Sequence, residues 1–310
     1  MTTLVTGHGL VGARTVALLR ARGEEVVVYD LAPPGPRPGV AAVTGDLLDL
    51  DALAATVARY RPERILHTAG LLTPAGVARP HDAVRVNVLG TANVLEAARI
   101  GSVARVVLTS SVVVYDATVR TDRVTEDHPA AGATVYAATK RSAELLGAAY
   151  ARSFGLSFLV VRFAAVFGPT ADPGGGVTRV IHEALRAAVV EGRATLKRRW
   201  PGRQDLVYVD DAAGALVAAG SAAEPQHHIF NVGSGEPVTV TQLAAAIGTA
   251  AGGAAVEVID AGTDANPDVI DAPLDLSRAE TELGWQPSYD LRRGLAELTV
   301  WLRDREGSGA

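Results

Sequence analysis

The sequence predicts an α/β protein, a doubly wound parallel sheet with a smaller lobe contributed mostly by the C-terminal part. Three observations carry this. Short β-rich runs alternate with helical stretches as far as Phe163, the pattern of parallel strands joined by helical crossovers. A glycine loop, Gly7-His8-Gly9-Leu10-Val11-Gly12, stands where the first strand gives way to a helix. After Gly168-Pro169 the alternation loosens, as expected where a chain leaves its main sheet.

Taken in order, the strand candidates are Thr3–Thr6, Glu25–Tyr29, Val40–Thr44, Arg64–Thr68, Arg105–Thr109 and Ser157–Phe163. Helical patterns such as Val11–Arg22 and Asp51–Tyr60 lie between most of them. The second crossover differs, because Pro33, Pro34, Pro36 and Pro38 leave no room for a helix. Gly174-Gly175-Gly176 precedes a further helix candidate, followed by the basic stretch Lys197–Arg203. The expected division is residues 1–168 as the sheet domain and 169–310 mostly as the lobe, with about 204–232 returning to the core. The tail Glu306–Ala310 reads as disordered.

Composition narrows the functional classes. The chain of 310 residues carries a net charge of −5, which argues against nucleic acid or an anionic membrane as its main partner. With no cysteine there is no disulfide, metal thiolate or cysteine nucleophile. Apolar runs are short and broken by Arg, Asp or Gly, so no membrane span is expected. The first strand begins almost at Met1, leaving no room for a signal peptide, and a soluble cytoplasmic protein is the expectation.

Each strand end then suggests chemistry. Gly7, Gly9 and Gly12 let the backbone turn sharply and approach a pyrophosphate whose charge the following helix N-terminus favours, with Leu10 and Val11 opening that helix. Asp30 ends the second strand, 18 residues past Gly12, where an acid accepts hydrogen bonds from a ribose diol and repels a 2′-phosphate. A Rossmann-type site for NAD follows. Asp46, with Leu47 behind it, either reads an adenine amino group or caps the next helix. Ala69 and Gly70 close the fourth strand with the small residues needed where backbone passes a cofactor, and His67 reads as a packed strand-end histidine. Asn87 either orders water or backbone near the site or is a satisfied buried amide. The serines ending the fifth strand face the ligand crevice, or merely cap it.

Tyr136 and Lys140 stand four apart on a helical stretch, so phenol and ammonium project from one face. A neighbouring ammonium favours a phenolate and would let tyrosine move a proton to or from a carbinol. A solvated pair is the alternative. Lys140 and Lys197 are the two lysines among 29 basic residues, and lysine is the cation whose pKa tunes readily.

These pieces in this order resemble the extended short-chain dehydrogenase/reductase superfamily, in particular its NAD-dependent epimerase/dehydratase group, over about residues 3–302. Further carriers are Gly45-Asp46-Leu47, His67-Thr68-Ala69-Gly70, Gly90-Thr91, Ser110-Ser111-Val112-Val113-Val114-Tyr115, Arg162 through Gly168-Pro169, Val207–Asp211 and Leu283-Gly284-Trp285. The resemblance implies that Tyr136 is the general acid/base, that Lys140 binds the nicotinamide ribose and depresses the tyrosine pKa, and that Ser111 orients the substrate hydroxyl. It implies Asp30 on the adenosine ribose, Phe163 at the cofactor, a substrate-binding C-terminal lobe, and a homodimer joined by the helices holding Asn87 and Tyr136.

Three departures qualify it. The glycine loop is one residue shorter than the group's usual G-x-x-G-x-x-G. Val112 and Val113 replace the Asp-Glu pair that water elimination requires, which removes dehydratase from the functions considered. Ala165 stands where nucleotide-sugar enzymes of the group carry a diphosphate-contacting Asn, although Arg203 falls where relatives contact that diphosphate. Lys197, Arg198, Arg199 and Arg203 form either a solvated basic patch or, through Arg203, a site for an anionic group. The functions left open are an NAD-dependent oxidoreductase acting on a secondary alcohol of a sugar, sugar acid or polyol, a nucleotide-sugar 4-epimerase, and a non-catalytic NAD-binding protein.

Overall fold

The computed structural model describes residues 1–35, 37–72, 78–118, 121–198, 202–260 and 269–307. The first half alternates β1 (Thr2–Thr6), α1 (Leu10–Ala21), β2 (Glu25–Asp30), β3 (Val40–Thr44), α2 (Leu50–Tyr60) and β4 (Arg64–His67). α3 (Pro80–Val84) runs through a π-helical turn, Arg85–Leu89, into α4 (Gly90–Ile100). β5 (Arg105–Ser111), a short 3-10 turn (Val112–Val114), α5 (Val135–Phe154) and β6 (Ser157–Phe163) complete this part. As the prolines dictate, no helix joins β2 to β3 among the described residues.

Seven strands form one parallel sheet in the order β11-β6-β5-β4-β1-β2-β3, where β11 is Ile229–Val232. The order reverses between β1 and β4, which opens a crevice at the carboxyl ends of the strands. Both faces are covered, so the strand centres are apolar; Leu4, Val5, Ile65 and Leu66 have no exposed surface. α1 and α7 (Val209–Ser221) pack one face, while α2, α4 and α5 pack the other.

The remaining elements are β7 (Ala165–Phe167), α6 (Gly176–Glu191), β8 (Arg193–Arg198), β9 (Arg203–Gln204), β10 (Leu206–Tyr208), β12 (Val238–Thr239), α8 (Val240–Ala250), β13 (Ala255–Asp260), α9 (Ser277–Leu283) and α10 (Leu291–Gly307). Most of them surround a third core, whereas α9 packs Ala279 and Leu283 into the core on the α1 side of the main sheet. α10 contributes Leu295, Leu298 and Leu302 at helical spacing, each buried and each worth about 1.5–3 kcal/mol of apolar transfer. This helix corrects the sequence reading of the tail at Glu306 and Gly307, the former pairing with Arg186 of α6 at 2.6 Å; residues 308–310 lie outside the described residues. The chain returns to the main sheet through α7 and β11, whereas Arg203–Tyr208 pair within small two-stranded sheets. No described helix is long and apolar enough to cross a membrane.

Candidate active site

The glycine loop packs at van der Waals limits. Gly7 takes φ +88°, and a Cβ on Gly12 would stand 2.1 Å from the Gly7 carbonyl oxygen, so neither position accepts a larger residue without the loop opening. Gly9 caps α1 with no side-chain partner, leaving the first-turn N–H groups, at Leu10, Val11 and Gly12, to an anion. The His8 N–H donates to Asp30 Oδ2 at 2.7 Å while Ala32 N–H holds Oδ1 at 2.8 Å, which fixes Asp30 at the strand end.

Asp46 is exposed and does not cap α2. That role belongs to Asp49, whose Oδ1 accepts from Ala52 N–H at 2.9 Å; Asp46 Oδ1 instead accepts from Leu48 N–H, and Leu47 is buried beside it. His67 is a packed residue, bonded to Thr6 Oγ1 at 2.6 Å and Thr91 Oγ1 at 3.1 Å. Burial, helped by the Lys140 charge, pushes its imidazole down to about 3, so it is neutral.

Asn87 lies in the π-helical turn and acts as a clamp. It accepts from Leu71 N–H at 2.8 Å and donates to Leu71 O and to Thr139 Oγ1, both at 3.0 Å, which holds the segment after Ala69 and Gly70 against α5. The period break was invisible in sequence. It turns this amide inward, as π-turns in functional sites commonly do.

α5 starts at Thr134, whose hydroxyl accepts from Ala137 N–H at 3.2 Å, and this cap sets the face on which Tyr136 and Lys140 project. Both are buried, Tyr136 at 8% and Lys140 at 6% exposure, so the pair is not a solvated one. Lys140 Nζ donates to Thr109 O at 2.9 Å and lies 5.9 Å from the Tyr136 ring centroid. Burial lowers the ammonium from its ordinary 10.5 to about 8, against the opposing pull of Glu144. The expected depression of the Tyr136 pKa is absent in the protein alone; burial raises it, and at this distance the ammonium does not compensate. The phenol therefore holds its proton at neutral pH.

The lysine shift has a testable sign. Between about pH 8 and 10.5 the unfolded chain binds a proton at Lys140 that the native chain has lost, so this group adds stability as pH rises through that window. Lys140→Met should remove the increment. The check is the difference in urea midpoint between wild type and variant at the two ends of the window.

Ser111 ends β5 directly opposite Phe163 in the sheet register. Its hydroxyl caps the 3-10 turn through Val113 N–H at 3.4 Å, a long contact that leaves it able to bond elsewhere. It also lines a cavity of about 80 Å³ with Val112, Val113, Ala165, Gln204 and Asp205 among its neighbours.

Arg203 is not part of that lining. Its guanidinium and backbone N–H both donate to Asp271 Oδ1 at 3.0 Å, at about half exposure. The adjoining residue of β9, Gln204, faces the cavity instead. Lys197 is an exposed strand residue, alternating with buried Ala194 and Leu196. Arg199 lies outside the described residues.

Beneath the site is a network that sequence reading missed. Glu144, one helical turn beyond Lys140, accepts from Arg162 Nε at 2.9 Å and Nη2 at 2.7 Å, from Ser110 Oγ at 2.6 Å and from Arg141 at 2.9 Å. Arg162 also stacks on Tyr115 at 4.7 Å, and Tyr115 donates to Asn231 Oδ1 at 2.6 Å. Charge pairing lowers Glu144 despite its burial and raises Arg162, so both stay ionised. The spacing Tyr136, Lys140, Glu144 was the available signal.

The loop cradle, the fixed Asp30 and the small residues near Lys140 fit a dinucleotide: a Cβ on Gly70 would come within 3.4 Å of Lys140 Nζ. Fold and site together define an NAD-dependent enzyme.

The model of the "NAD dependent epimerase/dehydratase family" matches residues 3–233, and the chain belongs to that family. It is 34% identical to a UDP-glucose 4-epimerase of Mycolicibacterium smegmatis, over 98% of this chain and 99% of the relative. Among solved structures, the complex of Thermus thermophilus UDP-glucose 4-epimerase with NAD is 30% identical, with a TM-score of 0.85 over 98% of this chain and 99% of its own. L-threonine dehydrogenase from Phytophthora infestans is 26% identical with a TM-score of 0.89, over 98% of this chain and 100% of its own.

Proposed function

We propose that the protein transfers hydride at a secondary alcohol or ketone carbon of a sugar, sugar acid or similar polyol, with Tyr136 as general acid/base. The observation that carries this is the burial of Tyr136 and Lys140 on one helix face beside the strand end bearing Ser111 and its cavity. NAD supplies the hydride acceptor and a positive nicotinamide when bound. Ser111 orients the reacting hydroxyl, Tyr136 takes or returns its proton, and Lys140, anchored on Thr109, holds the nicotinamide ribose and a local positive charge. Asn87 keeps the wall of the site in place through Leu71. Val112 and Val113 offer no acid or base for elimination.

A second reading, nucleotide-sugar 4-epimerase, is favoured by the relatives whose names state that activity. The two differ in net redox change. NAD-loaded protein supplied with free sugars, sugar acids and UDP-sugars should accumulate NADH in the first case. In the second it interconverts epimers without doing so, as read by absorbance and product mass spectrometry. We propose a cytoplasmic homodimer joined through α4 and α5, supported by exposed Ile100, Leu145 and Phe154 on those helices.

The cofactor preference follows from Asp30. A 2′-phosphate would stand against its carboxylate, with exposed Leu31 alongside and no cation in the immediate turn. The kcat/KM ratio of NAD over NADP should exceed about tenfold, equivalent to about 1.4 kcal/mol. Preference for NADP would mean that Arg37, near enough for its charge to act on His8 beside Asp30, overrides the carboxylate.

A further inference from the structure

The cavity beside Ser111 has an uneven chemistry. Its walls are Val112, Val113, Ala164, Ala165, Val269, Ile270, Ala272 and Leu274, and its polar groups are Ser111, Gln204 and Asp205. Among the described residues no Lys, Arg or His lines it. Gln204 Oε1 is the one buried side-chain oxygen or nitrogen of the described residues with no hydrogen-bond partner. A buried acceptor left unpaired is costly, so its retention facing a cavity points to a donor that arrives from outside.

Asp205 cannot be that donor. Its carboxylate is occupied by Ser234 N–H at 2.7 Å, Ser234 Oγ at 2.8 Å and Gly235 N–H at 3.0 Å. It adds negative charge to the same wall. A carboxylate or diphosphate entering here would meet an acceptor oxygen and an anion, with no Lys, Arg or His among the described lining residues to offset them.

We propose that Gln204 is a substrate-binding residue whose amide oxygen accepts a hydrogen bond from a hydroxyl, and that the substrate is a small neutral aldose or polyol rather than a sugar acid or nucleotide sugar. The proposal rests on the hydride-transfer reading above and narrows it. The reacting carbinol lies at the Ser111 end of the cavity and a second hydroxyl of the same molecule reaches Gln204. Arg203, held by Asp271 outside the lining, takes no part.

The test is binding in the presence of NAD, by saturation-transfer NMR and calorimetry, with D-galactose and xylitol as neutral probes, D-gluconate as an acid and UDP-glucose as a nucleotide sugar. Neutral probes should bind and the two anionic ones should not compete with them. Gln204→Leu should weaken the neutral probes about three- to tenfold, while Gln204→Glu, which keeps an acceptor oxygen, should restore them. UDP-glucose or gluconate binding more tightly than either neutral probe overturns the proposal, as does unchanged affinity in Gln204→Leu or no binding of either neutral probe. Turnover of any probe by wild type but not by Tyr136→Phe supports hydride transfer independently. Failure of Gln204 and failure of that reading are thus told apart.

Discussion

Tyr136→Phe should lower turnover about 10²–10⁴-fold while NAD affinity changes little. The phenol is the group on α5 proposed to carry the proton, and the ring itself, buried at 8% exposure, is retained in phenylalanine. Because burial raises the phenol, it is protonated at neutral pH and ready to donate in the reductive direction. Oxidation requires the phenolate, so wild-type kcat/KM for oxidation should climb with pH into the alkaline range, whereas reduction should not. Steady-state rates in both directions, with NAD titrated by fluorescence, give the check. Near-normal turnover in the variant would mean that the proton travels by another route.

Glu144→Gln should cost about 3–5 kcal/mol of stability, the loss typical of removing one partner of a buried pair. Glu144 and Arg162 are 2% and 1% exposed, and the substitution leaves the guanidinium deep in the core beside a neutral amide. Helix α5, strand β6 and Ser110 of β5 all meet at this carboxylate, so the loss also loosens the elements that carry Tyr136, Lys140 and Ser111. Replacing both partners by methionine should cost less than the single change, since no lone charge then remains buried. Urea denaturation of wild type, single and double variants measures this. A single variant within about 0.5 kcal/mol of wild type, the range of ordinary surface changes, would show that the pair is not structurally important.

Much of the main sheet was legible because its strands are continuous apolar runs bounded by glycine and charge. The six strand candidates fall within two residues of β1 to β6, and the proline-rich crossover forecast a connection without a helix. The pairs that depend on distant partners were not legible. β8 joins β13 across more than fifty residues, and nothing local in Arg193–Arg198 announces that register. Glu306 and Gly307 looked polar and loose, yet they end a helix that the buried Leu295, Leu298 and Leu302 upstream hold in place.

At the site, Tyr136 and Lys140 are buried on one face of α5, as their spacing of four predicts, and Lys140 reaches Thr109, two residues before Ser111. Asp46 and Asp49 exchanged the capping role because helix starts are set by φ/ψ at one residue, which a local acidic cluster does not identify. Arg203 and Gln204 adjoin in a strand two residues long, where side chains alternate, so only the register could decide which one faces the cavity. Glu144 was visible as an acid four residues beyond Lys140, but its partner Arg162 comes from a strand and could not be read from helix spacing.

The central claim is that Tyr136 moves the proton as hydride leaves a secondary carbinol. Its most direct test is a single-turnover experiment in which NAD-loaded wild type and Tyr136→Phe are mixed with the neutral and UDP-linked sugars and followed by NADH absorbance. Expected is a rise, net or transient, with at least one sugar in wild type and none in the variant. A rise of similar rate in Tyr136→Phe, or no rise with any of the sugars in wild type, would contradict the claim.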